Sequence, residues 1–381
     1  MSVRATDLPF DATHAPVETL ALKRAVLWAL LASKVIAGWG VQWDIQWHVL
    51  IGRDSFWIPP HLMTYAGVSA AVILSFGMLV FETWRGTGAV RILGLSGSRG
   101  FHLAAWGMAV TILAAPIDDM WHRLFGIDVT LWSPPHLMGI LGVVINGWAC
   151  FTIAREVYPD RPRARLAAMI VIGAGLYGSL HLTVDPTFRL AYLYGGVSFY
   201  SFAILGSLLL PLALVPAARI SGNRWAPLAA LVLVALVGMA GHRIARAGFE
   251  VMQPVSVIEE EIAKDPTSPI AVTNEMARKD GRVPGRTGGR LYLWGLIPVL
   301  AMVAVDARRR PIGATLAWAV TLFLVTGQLM SLRPSLAPRV PDIGTTLIAL
   351  ALTILAAMVG GWVARTLSDR LEGRVPETQQ A

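Results

Sequence analysis

The residues best placed to do chemistry in this 381-residue chain are acids and histidines that occur as a repeated pattern. Residues 44–63 read DIQWHVLIGRDSFWIPPHLM, and residues 118–138 read DDMWHRLFGIDVTLWSPPHLM. With one residue inserted in the second copy, twelve columns are identical, among them Asp44/Asp118, Trp47/Trp121, His48/His122, Gly52/Gly126 and His61/His136. Asp44 and His48 are four residues apart, so on a helix they share one face with Cβ atoms about 5–6 Å apart. Pro59 and Pro60 mark the first turn of a following helix, which brings His61 into that helix at the level of His48. One carboxylate and two imidazoles then converge, a donor set suited to copper(II), zinc(II) or non-haem iron(II). The second copy offers Asp118, or its neighbour Asp119, with His122 and His136.

Packing alone explains part of the repeat. The proline pairs, the glycines and the tryptophans fit a helix hairpin with an interfacial aromatic belt. An acid and two histidines in each copy are not required for packing, and ionisable groups near hydrocarbon are costly and tend to be functional. A structural network of Asp-His-Trp hydrogen bonds and a proton relay are the competing explanations.

The elements that must position these residues are transmembrane helices. The chain is 55% hydrophobic and 15% charged, against about 25% charged in an ordinary soluble domain. Its apolar residues come in blocks near the ~20 residues that cross a hydrocarbon core. The fold class expected is all-α: a polytopic transmembrane helix bundle of about ten spans with repeated helix hairpins. The spans fall at 21–46, 61–84, 101–121, 135–155, 164–182, 190–216, 226–247, 290–306, 311–332 and 343–365. This divides the chain into a tail (1–20), a seven-span bundle carrying the duplicated motif (21–248), an extramembrane loop (249–289), a three-span part (290–366) and a second tail (367–381). Both copies of the motif run in the same direction, as hairpins related by an axis along the membrane normal would.

Charge sets the orientation. Connections on the side of the N-terminus hold 18 Lys and Arg; the opposite ones hold 13, eight of them in the long stretch 243–290. Long loops contribute little to the positive-inside bias, so both termini are expected in the cytoplasm of a multi-pass cell-membrane protein. The net charge of +8 then serves topology and anionic headgroups of the lipid bilayer. No basic stripe with interleaved aromatics points to nucleic acid. Cys150 is the only cysteine, which excludes a disulfide framework and a CxxC site.

Other residues are weaker candidates. Asp54 and Asp128 are expected to turn the corners between helices. His181 with Asp185, and His242 with Arg243, lie at the same ends of their spans as the motif and could join it, whereas His102 reads as structural. Lys34 lies mid-span and needs a partner on another helix or a water-filled cavity. Tyr65-Ala-Gly67-Val-Ser69 recurs weakly as Tyr194-Gly-Gly196-Val-Ser198. The Gly-rich runs at 94–100 and near 285–290 lack a preceding strand and a following Lys-Ser/Thr, so they read as linkers rather than phosphate loops.

Asp44-x3-His48-x12-His61 resembles the metal-ligand motif in the C subunit of the copper-dependent membrane monooxygenases that oxidise methane and ammonia. The resemblance covers about twenty residues of the 381. It implies that Asp44, His48 and His61 are copper ligands. The second copy departs from it, with thirteen residues rather than twelve between its histidines, so the first copy is expected to bind metal more tightly. The function expected is an integral membrane metal-binding protein with its site at the non-cytoplasmic face. Copper is favoured over zinc or iron, in a monooxygenase-like or oxidase-like subunit or a protein that holds copper for one, working with partner subunits or as a homo-oligomer. A transporter or metal-handling permease, with Lys34 as a midplane charge, is the alternative from another class. An intramembrane zinc hydrolase is disfavoured, because no His-x3-His or His-Glu-x2-His occurs.

Overall fold

Proline sets where half of the described α-helices begin. In the computed structural model, which describes residues 17–52, 55–125, 131–285 and 288–372, prolines occupy the first turn of α2 (Pro59–Arg85), α4 (Pro134–Val157), α5 (Pro162–Val184), α8 (Pro211–Ser221), α9 (Ala226–Met252), α11 (Pro269–Lys279) and α13 (Pro311–Ser331). Proline costs nothing there, because the first-turn N–H groups have no helical acceptor. The remaining helices are α1 (Val17–Ile51), α3 (Arg99–Phe125), α6 (Thr187–Tyr194), α7 (Ser201–Leu209), α10 (Ile258–Lys264), α12 (Leu296–Val305) and α14 (Ile343–Glu372). The described residues are all-α apart from one short antiparallel hairpin. Among them eight helical segments are long and apolar enough to cross a membrane: 59–85, 99–125, 134–157, 162–194, 196–221, 226–252, 311–331 and 343–372. A shorter apolar helical stretch, Leu291–Val305, lies between the sixth and seventh of them.

Two boundaries differ from the expectation. The sixth span was expected to run 190–216, but residues up to Tyr194 continue the α5 unit, and the chain breaks at Gly195 and Gly196, whose φ values are +59° and +53°. The run at 94–100 is not a linker. Residues Val90–Ile92 (β1) and Leu95–Gly97 (β2) pair antiparallel around Leu93 and Gly94, both at positive φ. Thr83 Oγ1 accepts from Ser96 N at 2.7 Å, and the buried Glu82 accepts from Ser98 N at 3.1 Å while pairing with Lys23 at 2.5 Å. The His102 ring reaches Val90 O at 3.0 Å, the structural role expected of it.

The two motif-bearing hairpins are packed by close backbone approach. α1 lies along α2, and α3 along α4. A Cβ on Gly67 would stand 2.5 Å from Ala37 N and Ser33 O; one on Gly142 would stand 2.5 Å from Gly107 O and 2.7 Å from Thr111 N. Small residues at such crossings let helices approach where lipid supplies no hydrophobic drive. Buried polar groups add cross-links. Asn146 donates to Ala104 O at 2.9 Å, joining α4 to α3, and Lys34 finds its partner on another helix, the Val143 carbonyl of α4 at 3.2 Å.

Arginines staple the end of the bundle where α1 begins and α14 ends. Arg24 donates to Val157 O, Arg155 to Leu371 O, Arg219 to Arg308 O and Arg308 to Gly222 O, at 2.7–3.1 Å. Each acceptor carbonyl stands at or near a helix C-terminus, where intrahelical donors run out. Residues that the sequence marks only as topogenic charge therefore also close the helix ends. The Asp/His motif lies at the opposite end.

Candidate functional site

The corner between α1 and α2 is set by Pro59-Pro60. Ile58 precedes them in extended conformation (φ −66°, ψ 147°), and Ser133 precedes Pro134-Pro135 in nearly the same one (φ −68°, ψ 149°). Both second histidines thus sit in the first turn of their helices. In the second corner, Ser133 Oγ also accepts from His136 N at 3.4 Å, and Trp132 Nε1 donates to Thr183 O at 2.7 Å, tying the corner to α5.

In the first hairpin one carboxylate oxygen meets both imidazoles. Asp44 Oδ1 lies 3.1 Å from His61 Nε2 across the helix pair and 3.4 Å from His48 Nδ1 one turn on. His48 Nδ1 is also 2.9 Å from the Asp44 carbonyl, and the two imidazole centroids are 6.3 Å apart. The three side chains are 16–24% exposed, partly covered yet reachable. Tyr65, one turn beyond His61, lies beside its ring with centroids 5.8 Å apart. In the second hairpin Asp118 Oδ1 stands 3.4 Å from His136 Nε2. Asp119 turns away to pair with Arg123 at 2.8 Å, and both are largely exposed. Of the two acids the sequence leaves open, Asp118 is therefore the counterpart of Asp44. The His122 side chain, Asp54 and Asp128 lie outside the described residues.

One carboxylate and two imidazoles are donor types that transition metals take. With metal–nitrogen and metal–oxygen bonds of ~2.0–2.2 Å at tetrahedral angles, neighbouring donor atoms stand ~3.3–3.6 Å apart. The two Asp44 distances lie close to that edge. The third edge is open: the His48 and His61 ring centroids stand 6.3 Å apart, and among the described residues no group of three His, Cys, Asp or Glu side chains is placed to hold a metal ion.

His181 lies in an aromatic enclosure of its own. It is 4% exposed and enclosed by the rings of Tyr177, Phe202 and Tyr292, at centroid distances of 5.9, 5.5 and 4.8 Å. That aromatic packing is what its burial reflects. Sequence reasoning passed over the segment 253–285 as a source of site contacts. It folds back on the end of α1, with Val257 N donating to Ile51 O at 2.8 Å. No local pattern foretells contacts between residues some two hundred positions apart.

No family model, curated protein or solved structure matches this chain.

Proposed function

We propose that this chain is a multi-pass membrane metalloprotein, with copper the favoured ion and zinc or iron the alternatives, that holds its metal at the non-cytoplasmic face. In this reading the chain crosses the bilayer ten times, α1 and the 291–305 stretch joining the eight segments above, and both termini are cytoplasmic. The single observation that carries it is Asp44 Oδ1 standing within 3.4 Å of two imidazoles from two different helices. Asp44, His48 and His61 hold the first ion; Asp118 and His136, with His122, form the equivalent set in the second hairpin. A copper ion held there would supply redox chemistry towards oxygen, as suits a monooxygenase-like or oxidase-like subunit working with partner subunits or as a homo-oligomer. The chain's own part is to keep the carboxylate between the imidazoles and to leave their outer side open at the membrane surface.

Titration of the purified protein with copper(II), followed by electron paramagnetic resonance, tests this. In a His136→Ala background, which leaves only the first hairpin, nitrogen hyperfine structure from two imidazoles is expected, reduced to one when His61→Ala is added. A spectrum identical to that of loosely bound copper in solution, unchanged by His61→Ala, would return the Asp–His pairs to a purely structural role.

A transport reading has one specific support, the helix break at Gly195–Gly196 together with the mid-span Lys34. Broken helices and charges at several depths mark substrate paths, whereas the Asp and His residues here gather at one level. Metal-dependent flux into vesicles, lost in Lys34→Met, would favour transport over a fixed site.

A further inference from the structure

α1 ends one turn after His48, and a helix end leaves its last four carbonyls without intrahelical donors. Three of them are met by one distant segment. Asn274 Nδ2 donates to Val49 O at 3.2 Å, Ser256 Oγ to Leu50 O at 2.6 Å and Val257 N to Ile51 O at 2.8 Å. The same segment closes tightly on the helix end. Gly52 sits at φ +77°, and a Cβ there would stand 3.1 Å from Ile258 Cα; a Cβ on Gly285 would stand 2.9 Å from Val49 Cγ2. Behind the turn, Phe249 of α9 stacks on Trp47 with ring centroids 5.7 Å apart, and both belong to a small apolar cluster with Ile51 and Ile58. The terminal turn of α1 is therefore held from one side, while Asp44 and His48 meet His61 on α2.

The described residues of the second hairpin show no such clamp. Among the described residues, no other element donates a hydrogen bond to the carbonyls of Arg123, Leu124 or Phe125 at the end of α3. Leu124 and Phe125 are 66% and 67% exposed. Trp121, the counterpart of Trp47, instead meets Phe125 of its own helix, the rings tilted at 42° with centroids 4.3 Å apart.

We infer that Ser256 and Asn274 are positioning residues for the Asp44–His48–His61 site, and that the segment 253–285 preorganises this site and not its twin. The inference rests on the metal-binding reading above. A fraying end turn must be ordered by whatever it binds, and that ordering weakens binding. Fixing the carbonyls of residues 49–51 sets the backbone that carries His48 beforehand. Groups that orient a ligating histidine typically change metal affinity by about 10–100-fold when removed.

The test uses the full-length chain in lipid nanodiscs, with copper(II) as the probe, read by competition titration and by electron paramagnetic resonance. In a His136→Ala background, which disables the second hairpin, Ser256→Ala/Asn274→Ala should weaken copper binding about 10-fold and broaden the copper hyperfine lines. Ser256→Thr, which keeps the hydroxyl donor, should retain the parent affinity. In a His61→Ala background, which leaves only the second hairpin, the same double substitution should change nothing. Unchanged affinity and lines in the His136→Ala background would overturn the inference. So would equal losses in both backgrounds, because that marks general loosening of the bundle; the single Ser256→Ala variant serves if the double one does not fold. A parent chain that binds no copper would instead sink the metal-binding reading, and the positioning roles with it.

Discussion

At the scale of residues, the two copies of the motif diverge where their surroundings diverge. Gln42 donates to Gly238 O at 3.0 Å, Trp39 Nε1 donates to Val237 O at 2.8 Å, and Gln46 is 3% exposed. All three face material that covers α1. Seventy-four positions on their counterparts are Pro116, Leu113 and Met120, and Leu113 and Met120 are 57% and 54% exposed. Polar side chains survive where a neighbouring backbone accepts their hydrogen bonds, and apolar ones replace them where the face looks outward. The acid and second histidine stay paired in both copies, at 3.1 and 3.4 Å, although little else about the two surroundings is shared. This separates the adjacent acids sharply. Asp118→Asn should lower metal occupancy of the second hairpin, whereas Asp119→Ala, which removes only an exposed surface pair of the kind worth about 0–1 kcal/mol, should leave it unchanged. Chelator competition on the two variants reads the difference directly; equal effects would mean that Asp119 takes part.

At the scale of elements, hydropathy made the helices legible because each must satisfy its backbone internally wherever it meets lipid, and the proline pairs marked the corners that bring His61 and His136 to the right level. What stayed hidden depends on contacts between distant residues. The hairpin at 90–97 forms because Thr83, Glu82 and Glu156 lie beneath it, the latter accepting from Ser98 Oγ at 2.7 Å. The break before α7 needs two consecutive glycines at positive φ, which a smooth apolar run does not announce. Close packing of the hairpins makes a testable contrast. Gly142→Val should cost roughly 1–3 kcal/mol, the usual penalty of overpacking, since its Cβ would meet backbone atoms of α3. Gly77→Ala, with nothing within 4 Å, should leave the melting temperature in detergent unchanged or slightly higher. Equal melting temperatures for the two variants would contradict the packing described. A second contrast concerns the turn between α12 and α13. Hydrogen bonds from Arg308 hold the Asp306 carboxyl down to about 2. A carboxyl depressed in the folded state stabilises above its unfolded value of about 3.9 and loses that contribution as pH falls through the folded one. The melting temperature of the wild type should therefore drop further between about pH 4 and pH 2 than that of Asp306→Asn, whose amide cannot ionise and which tolerates the left-handed backbone there. Parallel curves would show that this pair contributes nothing.

At the scale of the whole molecule, the arginine staples and the motif occupy opposite ends of one bundle, so the metal-binding reading fixes a topology as well as a site. Cysteines introduced at Trp57 and at Arg91 should react with impermeant reagents from opposite faces of sealed vesicles, the native Cys150 being fully buried; labelling from one face would overturn the ten-pass arrangement. The central claim is that the first hairpin holds a transition-metal ion, and elemental analysis of purified wild-type protein beside His48→Ala/His61→Ala tests it most directly. The account predicts at least one ion per wild-type chain, copper foremost, and the loss of that ion in the double variant while the protein remains folded in the membrane. Wild-type protein without metal, or a double variant that retains its full complement, would contradict it.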